Sequence, residues 1–159
     1  MAQKQHRYRV HLRWTGNEGT GTNTYKTYSR AHDLLAEGKP AIAASADPAF
    51  RGDPARWNPE ELLVASLASC HQLWYLHLCA VNGVVVTAYE DRPEGVMQEE
   101  AGGAGQFVSV VLRPRVTVTP GSDLAKATAL HHEAHEKCFI ARSVNFPVTH
   151  EPAVTAAAG

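Results

Sequence analysis

Residues 58–70, NPEELLVASLASC, decide how the rest of this chain reads. Asn58 is a helix-capping residue type, and Pro59 suits the first helical position, where its missing N–H is one that the helix leaves unpaired anyway. Glu61 stands where a capping box places its carboxylate. No breaker follows until Gly83, so the spacing predicts a helix from Pro59 to about Asn82. Leucine, valine, alanine and Trp74 fall on nearly every side of it. A helix apolar almost all round belongs in the middle of a fold or in a subunit interface.

On the N-terminal side, Tyr8, Val10, Leu12 and Trp14 alternate with Arg7, Arg9, His11 and Arg13, a period of two that predicts a strand. Gly16, Asn17, Gly19 and Gly21 read as a turn and Thr22–Ser29 as a returning strand, so residues 6–29 are expected to form a hairpin. Ala41–Ser45 reads as a short strand before a loop marked by Asp47, Pro48, Gly52, Asp53 and Pro54. On the C-terminal side, Val84–Glu90 is an expected strand and Pro93–Gly105 a polar hairpin or loop. Phe107–Thr119 reads as a long strand whose Pro114 implies an edge or a bulge. Ser122 or Asp123 caps a second helix to about Lys137, Phe146–Val154 is a last strand, and an Ala-rich tail frays. The order predicts one α+β domain over residues 1–159, with antiparallel sheet and no internal repeat.

The chain has 159 residues, enough for a single core, with 44% apolar and 19% charged residues, too apolar for disorder. Lysine and arginine total 15 against 16 acidic residues, a net charge of −1, so no strong field exists to gather nucleic acid or anionic lipid. His71, Gln72 and His77 interrupt the longest apolar run, and no membrane span is expected. The basic, alternating opening has no apolar core of a secretory signal. Three cysteines make no disulfide framework, and a cytoplasmic protein with free thiols is expected.

Chemistry has few places to reside. Cys70 lies well into the first helix, far from its positive N-terminal end, and by itself reads as a buried structural thiol. Cys79 reads the same way. Cys138 ends the second helix after HHEAHEK and is expected to be the more accessible. His131, His135 and Cys138 are spaced i, i+4, i+7 on one helix face beside His132, a spacing compatible with metal ligation and equally with a solvated or pocket-lining face. No metal or other cofactor is assigned.

Taken together, NPEELLVASLASC and His135-Glu136-Lys137-Cys138 resemble the two signature segments of the osmotically inducible protein C and organic hydroperoxide resistance (OsmC/Ohr) family. In that family Asn-Pro-Glu opens a central helix leading to a peroxide-reactive cysteine ten residues beyond the glutamate, the spacing of Glu60 and Cys70. The second motif, His-x-x-Cys, carries a resolving cysteine. The resemblance implies antiparallel sheets wrapped around a long central helix, an intertwined homodimer, and a cysteine-based reductase of organic hydroperoxides, with hydrogen peroxide a candidate further substrate. It assigns Cys70 as peroxidatic, Cys138 as resolving, Glu60 as the carboxylate that holds an activating arginine, and an external dithiol, in relatives often a lipoyl protein, as reductant.

Ten residues of helix span about 15 Å, so Glu60 cannot reach Cys70 of its own chain, and a shared site requires Glu60 from the partner of a symmetric dimer. Arg51 is the first choice of arginine, then Arg56, then Arg13. Phe139 stands where relatives have proline after the resolving cysteine. His71 follows Cys70 where many relatives have phenylalanine, and Trp74, His71 and Trp57 are expected to shape a substrate pocket. A second reading keeps the fold but assigns small-molecule or metal binding in place of peroxidase activity.

Overall fold

The computed structural model describes residues 2–159, which divide into two compact units, one ending at Leu62 and one comprising Leu63–Gly159. The division falls within the first long helix, α1 (Pro59–Val81).

In the first unit, β1 (His11–Trp14), β2 (His32–Leu35) and β3 (Ile42–Ala44) form an antiparallel sheet. Trp14 pairs with His32, and His32 with Ala44. The expected hairpin over 6–29 is corrected here, because the partner of β1 lies beyond Ser29. Residues 22–29 close on themselves instead: Thr24 and Thr27 bond locally, and the Arg30 guanidinium donates to the carbonyls of Tyr25 and Tyr28. Short polar side chains that bond nearby backbone groups compete with a sheet ladder. The chain returns through Gly16, where a Cβ would lie 1.8 Å from the Ser29 carbonyl oxygen, and Trp14 Nε1 donates to that oxygen at 2.9 Å. After β3, Asp47 accepts from the Ala49 N–H and caps a single 3₁₀ turn, Pro48–Phe50.

The helix α1 begins as its sequence dictates. Asn58 Oδ1 accepts from the Glu61 N–H at 2.8 Å, and the Asn58 amide returns a bond to the Glu61 carboxylate. It ends at Gly83, whose φ of 75° lets the Val84 N–H reach the Cys79 carbonyl. Only one stripe of α1 is buried, Leu67, His71, Tyr75, Leu78 and Cys79, while Leu73 and Val81 are 63% and 64% exposed. By length and mean hydropathy alone α1 passes for a helix able to cross a membrane, as a core helix of the same composition also does. Its buried stripe, however, carries the polar groups His71 and Tyr75, both hydrogen-bonded to protein.

The second unit holds two three-stranded sheets. One has the order β4 (Val86–Asp91), β7 (Pro114–Val118), β9 (Ala153–Ala156); the other β5 (Glu94–Glu99), β6 (Gly105–Leu112), β8 (Val148–His150). β4–β7 and β5–β6 are antiparallel, whereas β7–β9 and β6–β8 are parallel. The single strand expected over 107–119 divides at Arg113. Pro114 has no N–H to donate, and the Arg113 N–H turns to Asp91 Oδ1 at 2.7 Å, so β6 and β7 enter different sheets. Pro152 separates β8 from β9 in the same way.

The second helix, α2 (Leu124–Lys137), is capped by Asp123, which accepts from the Lys126 N–H at 3.0 Å. Tyr75, Leu78 and Cys79 of α1 pack with Ala127, Leu130 and Ala134 of α2 and with Val116 and Val118 of β7. Leu67, Val110, Leu112 and Val148 form a second cluster. Each large apolar side chain so buried contributes about 1.5–3 kcal/mol.

Candidate active site

Two of the three cysteines meet. Cys138 is the C-cap residue of α2, and its side chain lies close enough to that of Cys70, in the middle of α1, for the two thiols to influence each other. Both are free thiols. The expectation that Cys138 is the more accessible is reversed: it is 1% exposed, whereas Cys70 is half-buried. The reason is the turn that follows. After Cys138 the chain folds back through the 3₁₀ turn Ala141–Ser143, and the Ala141 N–H donates to Cys138 Sγ at 3.4 Å.

Burial pushes the Cys138 thiol up to about 11. The Ala141 N–H opposes this, contact with Cys70 adds to it, and the Ile140 N–H opposes it again. The partial negative charge at the C-terminal end of α2 likewise disfavours a thiolate there. Cys138 is therefore held as a thiol at neutral pH. Cys79 is a core residue, 1% exposed, its pKa raised by burial.

The histidines divide by exposure. His132 is exposed and lies 3.4 Å from Glu136. His135 is half-buried, its ring 5.6 Å from that of His150. His131 is fully buried, and its Nδ1 lies 3.0 Å from Nε2 of His71. With ring centroids 5.3 Å apart and planes within 6°, the two imidazoles lie edge to edge and share one proton in the bond. Tyr75 stacks face-on against His131 at 3.8 Å and donates to the Ala127 carbonyl at 2.9 Å. Burial lowers His71 to about 4, with His150 and His135 adding to the shift. Burial lowers His131 to about 3, with further contributions from His71 and His150.

Sequence reasoning placed His71 with Trp74 in a pocket and did not foresee the pair. The available signal was the i, i+4 spacing of His71 and Tyr75 along the helix. The i, i+4, i+7 set of His131, His135 and Cys138 does not converge, and among the described residues no group of three or more His, Cys, Asp or Glu is arranged to hold a metal ion.

Trp74, one turn beyond Cys70, meets Phe139 edge-on at 5.6 Å and His77 at 5.9 Å, with Lys137 Nζ 5.7 Å from its ring. Phe139 is 68% exposed, so an apolar surface lies beside the residue that follows Cys138. Trp57, Arg51, Arg56, Arg13 and the first turn of α1 with Glu60 belong to the first unit. There, Arg56 Nε donates to the Ala44 carbonyl, and Nη2 donates to the His32 carbonyl and to Asp33 Oδ1 at 2.8 Å. Those bonds tie β2 and β3 to the loop. Arg51 is exposed, in the left-handed region at φ 65°, its guanidinium 5.9 Å from the Tyr25 ring centre. Arg13 is on the exposed strand β1.

Residues 52–152 match the family model described as OsmC-like protein. Among solved structures, an OsmC-like protein of unknown function from Vibrio cholerae is 34% identical, with a TM-score of 0.84 over 94% of this chain and 100% of that one. An organic hydroperoxide resistance protein OsmC from Legionella pneumophila, described as a predicted redox protein, is 18% identical, with a TM-score of 0.66 over 95% of this chain and 99% of that one. The organic hydroperoxide resistance protein OhrB of Bacillus subtilis is 19% identical, with a TM-score of 0.60 over 92% and 96%. These last two share the fold. A comparison with curated proteins gives no match. On the family match, and on a fold held in common with a 34% identical relative over nearly the whole chain, this protein belongs to the OsmC-like family.

Proposed function

We propose that the chain is a thiol-dependent peroxidase that reduces organic hydroperoxides, with Cys70 as the attacking cysteine and Cys138 as the resolving one. The observation that carries this reading is the proximity of two free thiols brought together by separate helices. The Cys70 thiolate attacks the outer peroxide oxygen and the O–O bond breaks. Cys70 becomes a sulfenic acid and the peroxide leaves as an alcohol, taking up one proton. Cys138 then forms the S–S bond as the S–O bond breaks, and its thiol proton leaves with the hydroxyl as water. An external dithiol reduces the disulfide, becoming oxidised in turn, and restores both thiols. A high pKa suits Cys138 for the second step only: it does not compete for peroxide while Cys70 is reduced.

The Cys70 thiolate that attacks peroxide needs a cation beside it, and Arg51 is assigned that role, because the guanidinium of Arg56 is already engaged by Ala44, His32 and Asp33. Glu60 steadies the arginine from the partner subunit of a homodimer, since one helix holds Glu60 and Cys70 about 15 Å apart. The exposed apolar residues Tyr8, Val10 and Leu12 of the first unit, and Leu73 and Val81 of the second, favour burial against a second copy. Trp74, with Phe139 beside it, forms the surface for the organic part of the peroxide. Three free thiols are consistent with a cytoplasmic protein.

The test is consumption of cumene hydroperoxide coupled to dihydrolipoamide oxidation. The wild type turns over and Cys70→Ser does not. Equal rates for the two proteins overturn the proposal.

A further inference from the structure

The histidine pair is a buried polar arrangement that the proposed chemistry leaves unused, and it is costly. One proton is shared between His71 Nε2 and His131 Nδ1, while the outer nitrogens, His71 Nδ1 and His131 Nε2, are buried without a partner among the described residues. Each such group costs about 1–3 kcal/mol. An apolar pair of the same size would cost less.

Its position supplies a reason. Among the described residues, two side-chain hydrogen bonds tie α1 to α2: Tyr75 Oη to the Ala127 carbonyl, and His71 to His131. Four residues back along α1 correspond to four residues forward along α2, so the two bonds lie one turn apart on antiparallel helices. His71 immediately follows Cys70, and His131 lies two turns before Cys138. Ala127, Leu130 and Ala134 supply apolar contact, which does not by itself fix how far one helix slides along the other. A directional N–H···N bond does.

We propose that His71 and His131 are positioning residues whose hydrogen bond sets the register of α2 against α1 and so holds Cys138 at Cys70 for disulfide formation. The role rests on the two-thiol reading above, but its geometric content stands apart from peroxide chemistry. The groups facing the pair are Tyr75 from α1, His150 from β8 at 5.6 Å from His71 and 6.3 Å from His131, and beyond His150 the ring of His135. None of these is an acid that ionises near neutral pH, so nothing draws a second proton onto the pair.

Two double variants test the role. His71→Gln with His131→Asn keeps a donor and an acceptor near the positions of the bonded ring nitrogens. His71→Phe with His131→Leu keeps bulk and removes the bond. Each reduced protein receives one equivalent of diamide, a general thiol oxidant, or of cumene hydroperoxide, and the Cys70–Cys138 peptide is followed by mass spectrometry. The apolar pair should form the disulfide about 10- to 100-fold more slowly, the usual cost of an ångström-scale misplacement, and with one equivalent of peroxide should accumulate Cys70 sulfenic acid, trapped with dimedone. The amide pair should recover most of the wild-type rate. Disulfide formation at the wild-type rate in the apolar pair overturns the inference, and so does an amide pair no faster than the apolar one. Should the apolar pair not fold, His71→Leu against His71→Gln gives the same comparison. If diamide closes the disulfide as described while peroxide leaves Cys70 untouched, the positioning role stands and the peroxidase reading fails.

Discussion

Cys138, one residue past the last turn of α2, rests its side chain against Cys70 in the middle of α1, and the Ala141 N–H holds its sulfur there at 3.4 Å. The same enclosure that brings the thiols together keeps Cys138 protonated to about pH 11. Alkylation of the reduced protein with iodoacetamide at pH 8 should therefore leave Cys138 unmodified until the chain is unfolded. Cys138→Ser should retain the first reaction with peroxide, lose at least about 100-fold in turnover with dithiol, and accumulate Cys70 sulfinic acid, each read by peptide mass spectrometry.

The His71–His131 pair makes stability depend on pH. Both side chains titrate near 6.5 when unfolded, but at about 4 and about 3 in the fold. Between these limits the unfolded chain binds more protons, so stability rises with pH. The contribution is fully present above about pH 6.5 and is lost as pH falls toward 4. The Tm is expected to drop by about 10 °C between pH 7 and pH 5, and by much less in His71→Phe with His131→Leu. Equal pH profiles for the two proteins would show that the pair is not the origin.

The two arginines of the loop before α1 should separate stability from activity. Arg56→Ala removes three hydrogen bonds and the ion pair with Asp33, and should cost about 2 kcal/mol in thermal or urea unfolding with little change in peroxide rate. Arg51→Gly relieves a left-handed backbone at φ 65° and should raise stability by about 0.5–1 kcal/mol. It should also slow oxidation of Cys70 at least about 100-fold. The reverse pattern would move the activating role to Arg56.

Glu60 offers a test of the shared site. Cys70→Ser and Glu60→Ala homodimers should each be inactive. Mixed in equal amounts with subunit exchange, they should regain about a quarter of the wild-type activity, because half the dimers then hold one complete site. No recovery on exchange would place Glu60 and Cys70 in separate functions.

Trp74 supplies a fifth contrast. Its indole, edge-on to Phe139, presents aromatic surface rather than charge. Trp74→Ala should raise KM for cumene hydroperoxide about tenfold while leaving the slower reaction with hydrogen peroxide unchanged. Equal effects on both peroxides would make Trp74 a structural residue.

Local signals in the sequence carried much of this arrangement, and long-range ones did not. The start of α1 was legible because Asn58, Pro59 and Glu61 act within one turn, and its end because Gly83 alone supplies the left-handed residue. Strand partners were harder to foresee. Nothing local announces that Trp14 pairs with His32, since the Thr24–Thr27 turn mimics strand composition while bonding to itself. Pro114 was read as an irregularity within one strand, whereas it is the point at which the chain changes sheets. The two thiols were legible through their motifs, but the burial of Cys138 was not, because it depends on the turn made by Ala141–Ser143. His131 was visible as a candidate ligand, yet its partner, His71, is set by the antiparallel register of the two helices, which no single helical pattern encodes.

The central claim is that Cys70 and Cys138 form one redox couple. It is tested most directly by counting thiols in the reduced protein before and after one equivalent of cumene hydroperoxide, with mass spectrometry of the digested product. The account predicts the loss of two thiols per chain and a Cys70–Cys138 cross-linked peptide, with Cys79 still reduced in the core. Three thiols remaining after the addition, or a disulfide that excludes Cys70, would contradict it.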